Sequence, residues 1–521
     1  MKLLNNLKSN LLINNSHQLS LYALITTLVT GLITHHLLIR GGFTNPDGIC
    51  EGLTYYTSGD WALVGCGRWA IRYMNEITCN IVIPLYVVLM YCLCIWISII
   101  LLSKMWEFSA PSIILLSVIM IATPAVTNQF AYTYTALAYG VSCVLSVLFV
   151  YVIFRCNYKK GVIVGTLSVS VMLGLYQSYV GMVAVLVFMT IIVDLFDYTE
   201  VKQLLKRFIL CIISALVGCG LYNIILNIDM KTRGFDNSGS RVMEFSITEI
   251  FKLFPERFCY VYKKYLNFFA DKLMHRNILY ILIIAFIVVG MSINVFHLLQ
   301  KKKYGQALVA VLLFVLIPFA SNIIGILIPY NGISELMQYQ TILIIPFMLT
   351  CIRKLGKYRF YEIYQGLALL TVGILAWTYI LAANATYKCY ELSYRHINSQ
   401  MQMAVTRVYD LDGYIKDETP ILIAGFPNDT VLRNNLDIYQ YAENLCENPA
   451  FWLDMHGATQ NRYLYFMNYF GIDAQRFSDD EYESIINTEE FAEMPVWPDK
   501  KSVEMINGYA VVKFTDEPPM P

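Results

Sequence analysis

The chain has 521 residues, 57% hydrophobic and 15% charged, with a mean hydropathy of +0.52, whereas an ordinary soluble domain carries about 25% charge. It reads as a polytopic membrane protein. The 38 basic residues balance 38 acidic ones, so no global field draws nucleic acid, none is expected as a partner, and any anion-binding patch must be local. Thirteen cysteines lack CxxC or Cys/His ligand spacing and read as buried apolar filler.

A spanning helix needs roughly 20 mainly apolar residues, and about eleven segments qualify in chain order. The first is Leu21 to Arg40, which lacks a small-residue cleavage site and is read as a span, not a removable leader. Ile81 to Ser103, Ser112 to Thr127, Thr135 to Phe154, Val162 to Tyr176, Tyr179 to Leu195 and Phe208 to Ile228 follow. Asn277 to His297, Ala307 to Ile328, Tyr339 to Cys351 and Gly366 to Ala383 complete the set. Lys2 and Lys8, Lys104, Arg155 with Lys159 and Lys160, Lys202 with Lys206 and Arg207, Lys301 to Lys303, and Arg353 to Arg359 fall on alternate loops. By the excess of Lys and Arg in short cytoplasmic loops, the N-terminus is expected inside and the C-terminus outside.

Two sizeable segments then face outward, residues 41–80 and 229–276. The second breaks the charge rule, since Lys231, Arg233, Arg241, Lys252, Arg257, Lys263, Lys264, Lys272 and Arg276 outnumber its acids. Both a snorkelling interfacial helix and an electropositive rim for a phosphate fit that pattern. From about Asn384 the apolar runs shrink to strand length: Pro420 to Asp429 and Gly508 to Phe514 read as short buried strands, and Ala458 to Gly471 as a helix. We therefore expect a transmembrane domain over 1–383 and a small extracytoplasmic α/β domain over 384–521.

Pumps and secondary transporters need acids, histidines or broken helices near the bilayer midplane. Mid-span positions here are almost uncharged, and the polar chemistry gathers at the outer edge. There, Asn45-Pro-Asp-Gly-Ile-Cys-Glu51 leaves the first span carrying Asp47 and Glu51, and Asp60 follows in Ser58 to Trp69. A carboxylate beside apolar surface becomes a better proton acceptor near neutral pH, although Asn, Pro, Asp and Gly are also ordinary turn formers. Arg68 and Arg72 stand four apart in "GDWALVGCGRWAIRYMNEI", with Trp61 and Trp69 suited to headgroup depth. An interfacial amphipathic helix accounts for that spacing, and a guanidinium fork onto a lipid-linked phosphate would add to it.

The outer-loop acid, then Gly67-Arg68-Trp69, then Pro84 opening the second span, resembles the bacterial glucosyl transferase type II (Gtr) membrane family. "ATPAVTNQF" with Pro124, "GLYQSYVG" with Tyr176 and Gln177, the tail "ANATYKCYELSYRHINSQMQMA" and the closing Met494 to Phe514 are similar to that family's pattern in the same order.

The resemblance implies a GT-C type, α-helical polytopic enzyme of the bacterial cytoplasmic membrane, with its active site on the outer face. Its expected partners are a polyprenyl-phosphate hexose donor, commonly glucose, a cell-surface polysaccharide acceptor such as O-antigen or a wall-linked polymer, and the lipid bilayer. Carried onto this chain, Asp47 is the expected base, with Glu51 and Asp60 as alternatives, and Arg68 the expected phosphate contact. Trp69, Arg72, Arg233 and Arg241 are expected to support it, and Tyr176 and Gln177, at a break between spans, to hydrogen-bond sugar hydroxyls or merely a helix end. No metal is expected to be required, a Mg2+ or Mn2+ bridge between acid and phosphate being the alternative. Ser334 to Phe347 has no arginine where a second phosphate contact would be sought. A flippase or exporter of lipid-linked sugars, or a polysaccharide polymerase, is the rival expectation.

Overall fold

The computed structural model describes residues 16–42, 44–45, 48, 59–235, 247–327, 332–356, 358, 360–425, 427, 434–443, 471–472 and 477–516. The chain divides into two compact units, one of Met1–His36 with Tyr56–Ala383 and one of Leu37–Tyr55 with Asn384–Pro521.

The elements of the first unit among its described residues are helices joined by short turns. In chain order it holds α1 (Ser16–Gly41), α2 (Gly59–Cys66), α3 (Trp69–Ile77), α4 (Pro84–Trp106), α5 (Ala110–Ala122), α6 (Pro124–Ala131), α7 (Ala136–Arg155) and α8 (Tyr158–Leu175). A 3-10 turn, Gln177–Tyr179, leads into α9 (Val180–Phe196). There follow α10 (Val201–Thr232), α11 (Ile247–Phe269), α12 (Arg276–Gln300), α13 (Tyr304–Val315), α14 (Ile317–Ser321) and α15 (Ile324–Leu327). A longer 3-10 stretch, Glu335–Leu343, runs into α16 (Ile344–Arg353), and α17 (Tyr361–Tyr409) contributes residues to both units, as α1 does.

Ten helical stretches among the described residues are long and apolar enough to cross a membrane, which makes this a multi-pass membrane protein. Eleven were expected, and the difference lies at Ala307 to Ile328, which is broken into α13, α14 and α15. Pro318, at the first turn of α14, cannot extend the preceding helix. Asn322 then donates from Nδ2 to Val261 O at 3.2 Å, and Gly325 passes so close to Val261 and Ile333 that an added Cβ would lie 2.9 and 2.6 Å from them. The same segment wraps α11, whose Arg257 donates to Ile326 O at 2.6 Å and is buried. Arg276 is fully buried too, paired with Asp271 at 3.1 Å and set over the Tyr379 ring at 4.7 Å. Two of the cations that made residues 229–276 look like an electropositive rim are therefore internal supports.

The two ends of the bundle differ in chemistry. At one end Arg155 forks onto Asp194 at 2.6 and 2.9 Å, Arg353 reaches Glu107 at 2.8 Å, Lys354 pairs with Asp197, and Lys303 meets Glu200 at 3.1 Å. The first three pairs tie the ends of α4, α7, α9 and α16 around a cavity of about 330 Å3 that the start of α10 also lines. The other end carries the start of α4, Tyr132–Ala136, the Tyr176–Gln177 break, the last turn of α10 and Glu335. Aromatic rings, amides and hydroxyls predominate there, beside the ion pairs Arg72–Glu76 and Arg276–Asp271.

In the second unit three strands, β1 (Ile421–Ala424), β2 (Val503–Ile506) and β3 (Tyr509–Lys513), form a sheet in the order β1-β3-β2, with β1 parallel and β2 antiparallel to β3. Asn507 and Gly508, both at positive φ, make the two-residue hairpin turn that such a pair favours. The apolar run that suggested a span ending at Ala383 gives way to a helical stripe, Ile397, Met401, Ala404 and Val408, which is buried in one core with all three strands. That stripe carries α17 on to Tyr409. Two short helices, α18 (Asp479–Ile486) and α19 (Glu489–Glu493), add Tyr482, Ile485 and Phe491 to the same core. The helix expected over Ala458 to Gly471 lies, but for Gly471, outside the described residues.

Candidate active site at the aromatic end of the bundle

Gly67 ends α2 with φ +66, its N–H returning to Leu63 O at 2.8 Å. That left-handed step is cheap only for glycine, and it turns the chain so that Arg68 stands as the first residue before α3. The Arg68 guanidinium carbon lies 4.6 Å from the Tyr176 ring centroid. Its Nε is buried with no hydrogen-bond partner, and no carboxylate among the described residues pairs with it. Burial works against its charge, but Cys66, Tyr176, Tyr139 and Tyr134 around it raise its pKa above the ordinary arginine value. Among the described residues the cation rests on the Tyr176 π-face, with donors to spare.

Trp69 and Gln177 fix that arrangement. Trp69 packs on Gly174 so closely that a Cβ there would meet the indole at 2.5 Å. Gln177 donates from Nε2 to Cys66 O at 2.7 Å, and Tyr222 of α10 donates to Gly67 O at 3.0 Å. The two carbonyls at the end of α2 are thereby satisfied by side chains from distant spans. Tyr176 meets Tyr139 edge-on at 4.7 Å and Tyr179 at 6.1 Å.

Tyr179 continues the network inward. Gln129 Nε2 donates to Tyr179 OH at 3.3 Å, while Gln129 Oε1 accepts from Tyr91 OH at 2.7 Å. Beside it Asn128 Nδ2 donates to Glu335 Oε2 at 3.2 Å. Both amides sit on α6, a two-turn helix in which every residue is buried. It exists because Pro124 forces Thr123 into an extended conformation and breaks the third span.

The sequence-derived residues separate as follows. Arg68, Trp69, Tyr176 and Gln177 converge. Arg72, one turn into α3, instead pairs with Glu76 at 2.7 Å, so the two arginines do not act on one ligand face. Arg233 caps the end of α10. Asp47, Glu51 and Arg241 lie outside the described residues, as does the side chain of Asp60 in α2. Among the described residues no three His, Cys, Asp or Glu side chains converge as metal ligands.

Four residues join the site that sequence reasoning passed over: Tyr222, Asp229, Asn128 and Glu335. Asp229 is the sharpest, buried at 7% exposure and bonded through Oδ1 to Tyr73 OH at 3.2 Å. An acid near the end of an apolar span was the available signal. Glu335 stands in the stretch searched for a second arginine, and a carboxylate is what that stretch supplies.

A model of the glucosyl transferase GtrII family matches residues 51–351, more than half of the 521-residue chain. The chain belongs to the GtrII family. It is accordingly a membrane glucosyltransferase by family, and the matched stretch contains every residue of the aromatic-end cluster from Arg68 to Glu335. Asp47 stands four residues ahead of the GtrII match, while Glu51 and Asp60 fall within it. Comparison with curated proteins and with solved structures gives no match.

Proposed function

We propose that this GtrII protein moves a hexose, glucose by family, from a polyprenyl-phosphate donor to a cell-surface polysaccharide, on the extracytoplasmic side of the bacterial cytoplasmic membrane. The observation that carries the reading is Arg68, a charged group set on Tyr176 with no carboxylate partner among the described residues. It stands at the end of the bundle away from the Lys- and Arg-rich termini. The positive-inside rule puts those termini in the cytoplasm, which leaves the Arg68 end outside and the C-terminus with it.

A phosphate at Arg68 gives the guanidinium charge-assisted bonds that no described residue supplies. The donor's isoprenoid chain runs along apolar helix faces, and its sugar stands at the water interface. Asp47 removes the acceptor hydroxyl proton as that oxygen attacks the anomeric carbon. The bond from that carbon to the phosphate oxygen breaks, and the configuration inverts in a single displacement. Arg68 neutralises the phosphate that departs. Glu51 and Asp60 are the alternative bases. The leaving group is a single phosphate, and no metal is assigned a step in this scheme.

The test is transfer in membranes supplied with a polyprenyl-phosphate hexose. Asp47→Asn should abolish it, a loss of about 10^2- to 10^4-fold, while the protein still inserts and accumulates. Retained transfer would remove Asp47 from the mechanism and pass the role to Glu51 or Asp60.

A further inference from the structure

We infer that Asp229, held by Tyr73, is the point at which the donor's sugar ring is recognised, its free carboxylate oxygen accepting from sugar hydroxyls while Arg68 holds the phosphate. The inference deepens the function proposed above and rests on it.

Asp229 lies on the inward face of α10. Tyr222, Leu226 and Asp229 recur at helical spacing and are buried, while Ile224 and Ile228 between them are exposed at 58% and 57%. The buried face of α10 meets the α2–α3 segment twice: Tyr222 bonds to Gly67 O just before Arg68, and Asp229 accepts from Tyr73 OH in the second turn of α3. The two contact points are seven residues apart on α10, roughly 10 Å along its axis. The distance suits one monosaccharide extending from a phosphate.

The carboxylate is short of partners. A carboxylate has about four acceptor sites, and among the described residues Asp229 uses one, for Tyr73. Its Oδ2 is buried with no hydrogen-bond partner, and no cation among the described residues comes within ion-pairing distance. A buried carboxylate left this way is costly. Sugar hydroxyls answer the need with neutral donors, and adjacent hydroxyls on a ring can reach the same group. A phosphate would be repelled there, so Asp229 and Arg68 divide the donor between them by charge.

The experiment uses the full chain in lipid nanodiscs and measures equilibrium binding of three probes. They are polyprenyl-phosphate glucose, its singly deoxygenated analogues, and polyprenyl phosphate without a sugar. Wild type should bind the glucose donor more tightly than at least one deoxy analogue. Asp229→Asn, close to isosteric, should weaken the glucose donor by about 10- to 100-fold, lose that discrimination, and bind sugarless polyprenyl phosphate as wild type does. Tyr73→Phe removes one hydroxyl and no charge, and should shift the same discrimination to a smaller degree. Arg68→Ala should weaken all three probes. If Asp229→Asn discriminates among the analogues as wild type does, or weakens polyprenyl phosphate as much as the glucose donor, the inference fails and the functional reading stands. If wild type binds neither polyprenyl phosphate nor its glucoside, both fail together.

Discussion

Arg155 and Arg68 are both arginines at the end of a transmembrane bundle, and their surroundings are opposite. Arg155 has Asp194 on both prongs and Met105 O besides. Its neighbour Arg207 is bonded to Cys156 O and set over Tyr158. Among the described residues Arg68 has the Tyr176 face and no carboxylate. The first arrangement satisfies its charges within the protein and closes the helix ends together. The second keeps a cation in place and leaves its donors for something else. Burial alone does not mark a binding site; what marks it is a buried or half-buried polar group whose bonding capacity the protein leaves unused.

The sharpest way to break this contrast is to remove the cation. Arg68→Ala should lower kcat/KM for the polyprenyl-phosphate hexose by about 10^2- to 10^3-fold, read as sugar transfer in membranes with matched protein content. Unchanged donor kinetics would place Arg68 with the structural arginines. A smaller effect should follow from disturbing its platform. Gly174→Ala drives a methyl into Trp69, costs about 1–3 kcal/mol of strain, and should reduce transfer by roughly 10-fold through that strain. If transfer is unaffected, Trp69 is not needed to position Arg68.

At the charged end the expected change is in stability and not in chemistry. Asp194→Ala strands Arg155 and should destabilise the bundle by about 1–3 kcal/mol, seen as an earlier thermal unfolding transition in detergent with an unaltered donor KM. A raised donor KM would mean that the two ends are not functionally distinct. The second unit supplies the mildest case. Glu481 accepts from Ser478 N–H and hydroxyl and from Tyr509 OH, and these bonds lower its pKa to about 2. Because the folded value is the lower one, its contribution is whole above the ordinary carboxylate pKa. It is lost as pH falls from there toward about 2. Glu481→Gln should therefore flatten the acid limb of the second unit's unfolding curve below the ordinary carboxylate pKa and leave neutral pH nearly unchanged. An identical acid limb would show that the capping bonds at Ser478 contribute nothing there.

Much of the architecture was legible in the residues. Hydropathy located the spans, Pro84 marked the start of α4, and the GRW motif pointed to Arg68 with Trp69. Ala307 to Ile328 is apolar enough to span and lies between Lys303 at the charged end and Glu335 at the aromatic end, yet it is not one continuous helix. It breaks because Pro318 stops one helix and because Asn322 and Gly325 are fitted to α11, a contact that no local window contains. α17 outruns its apolar part for a related reason: the chain stops being uniformly apolar at Ala383, yet its helical period continues.

The site divides along the same line. Tyr176 and Gln177 stood out because a polar pair interrupts two apolar runs. Asn128 and Gln129 were quoted within a motif and not singled out, since their role depends on Glu335, some two hundred residues later. Arg72 looked equivalent to Arg68 by spacing. Only the turn at Gly67 takes Arg68 off the helix and leaves Arg72 to pair with Glu76.

The sequence by itself determined that this chain crosses the membrane many times, that it carries a small C-terminal sheet, and that it is akin to the Gtr glucosyl transferases. Those properties are sums or orders along the chain, and each helix acquires them locally from its own residues. Which charges are spent and which are kept was decided by the tertiary structure. Whether Arg155 is neutralised, Arg68 is left on an aromatic face or Asp229 retains a free oxygen depends on which helix end arrives opposite it. That is set by packing between spans far apart in sequence, where one hydrogen bond or its absence separates a structural charge from a functional one.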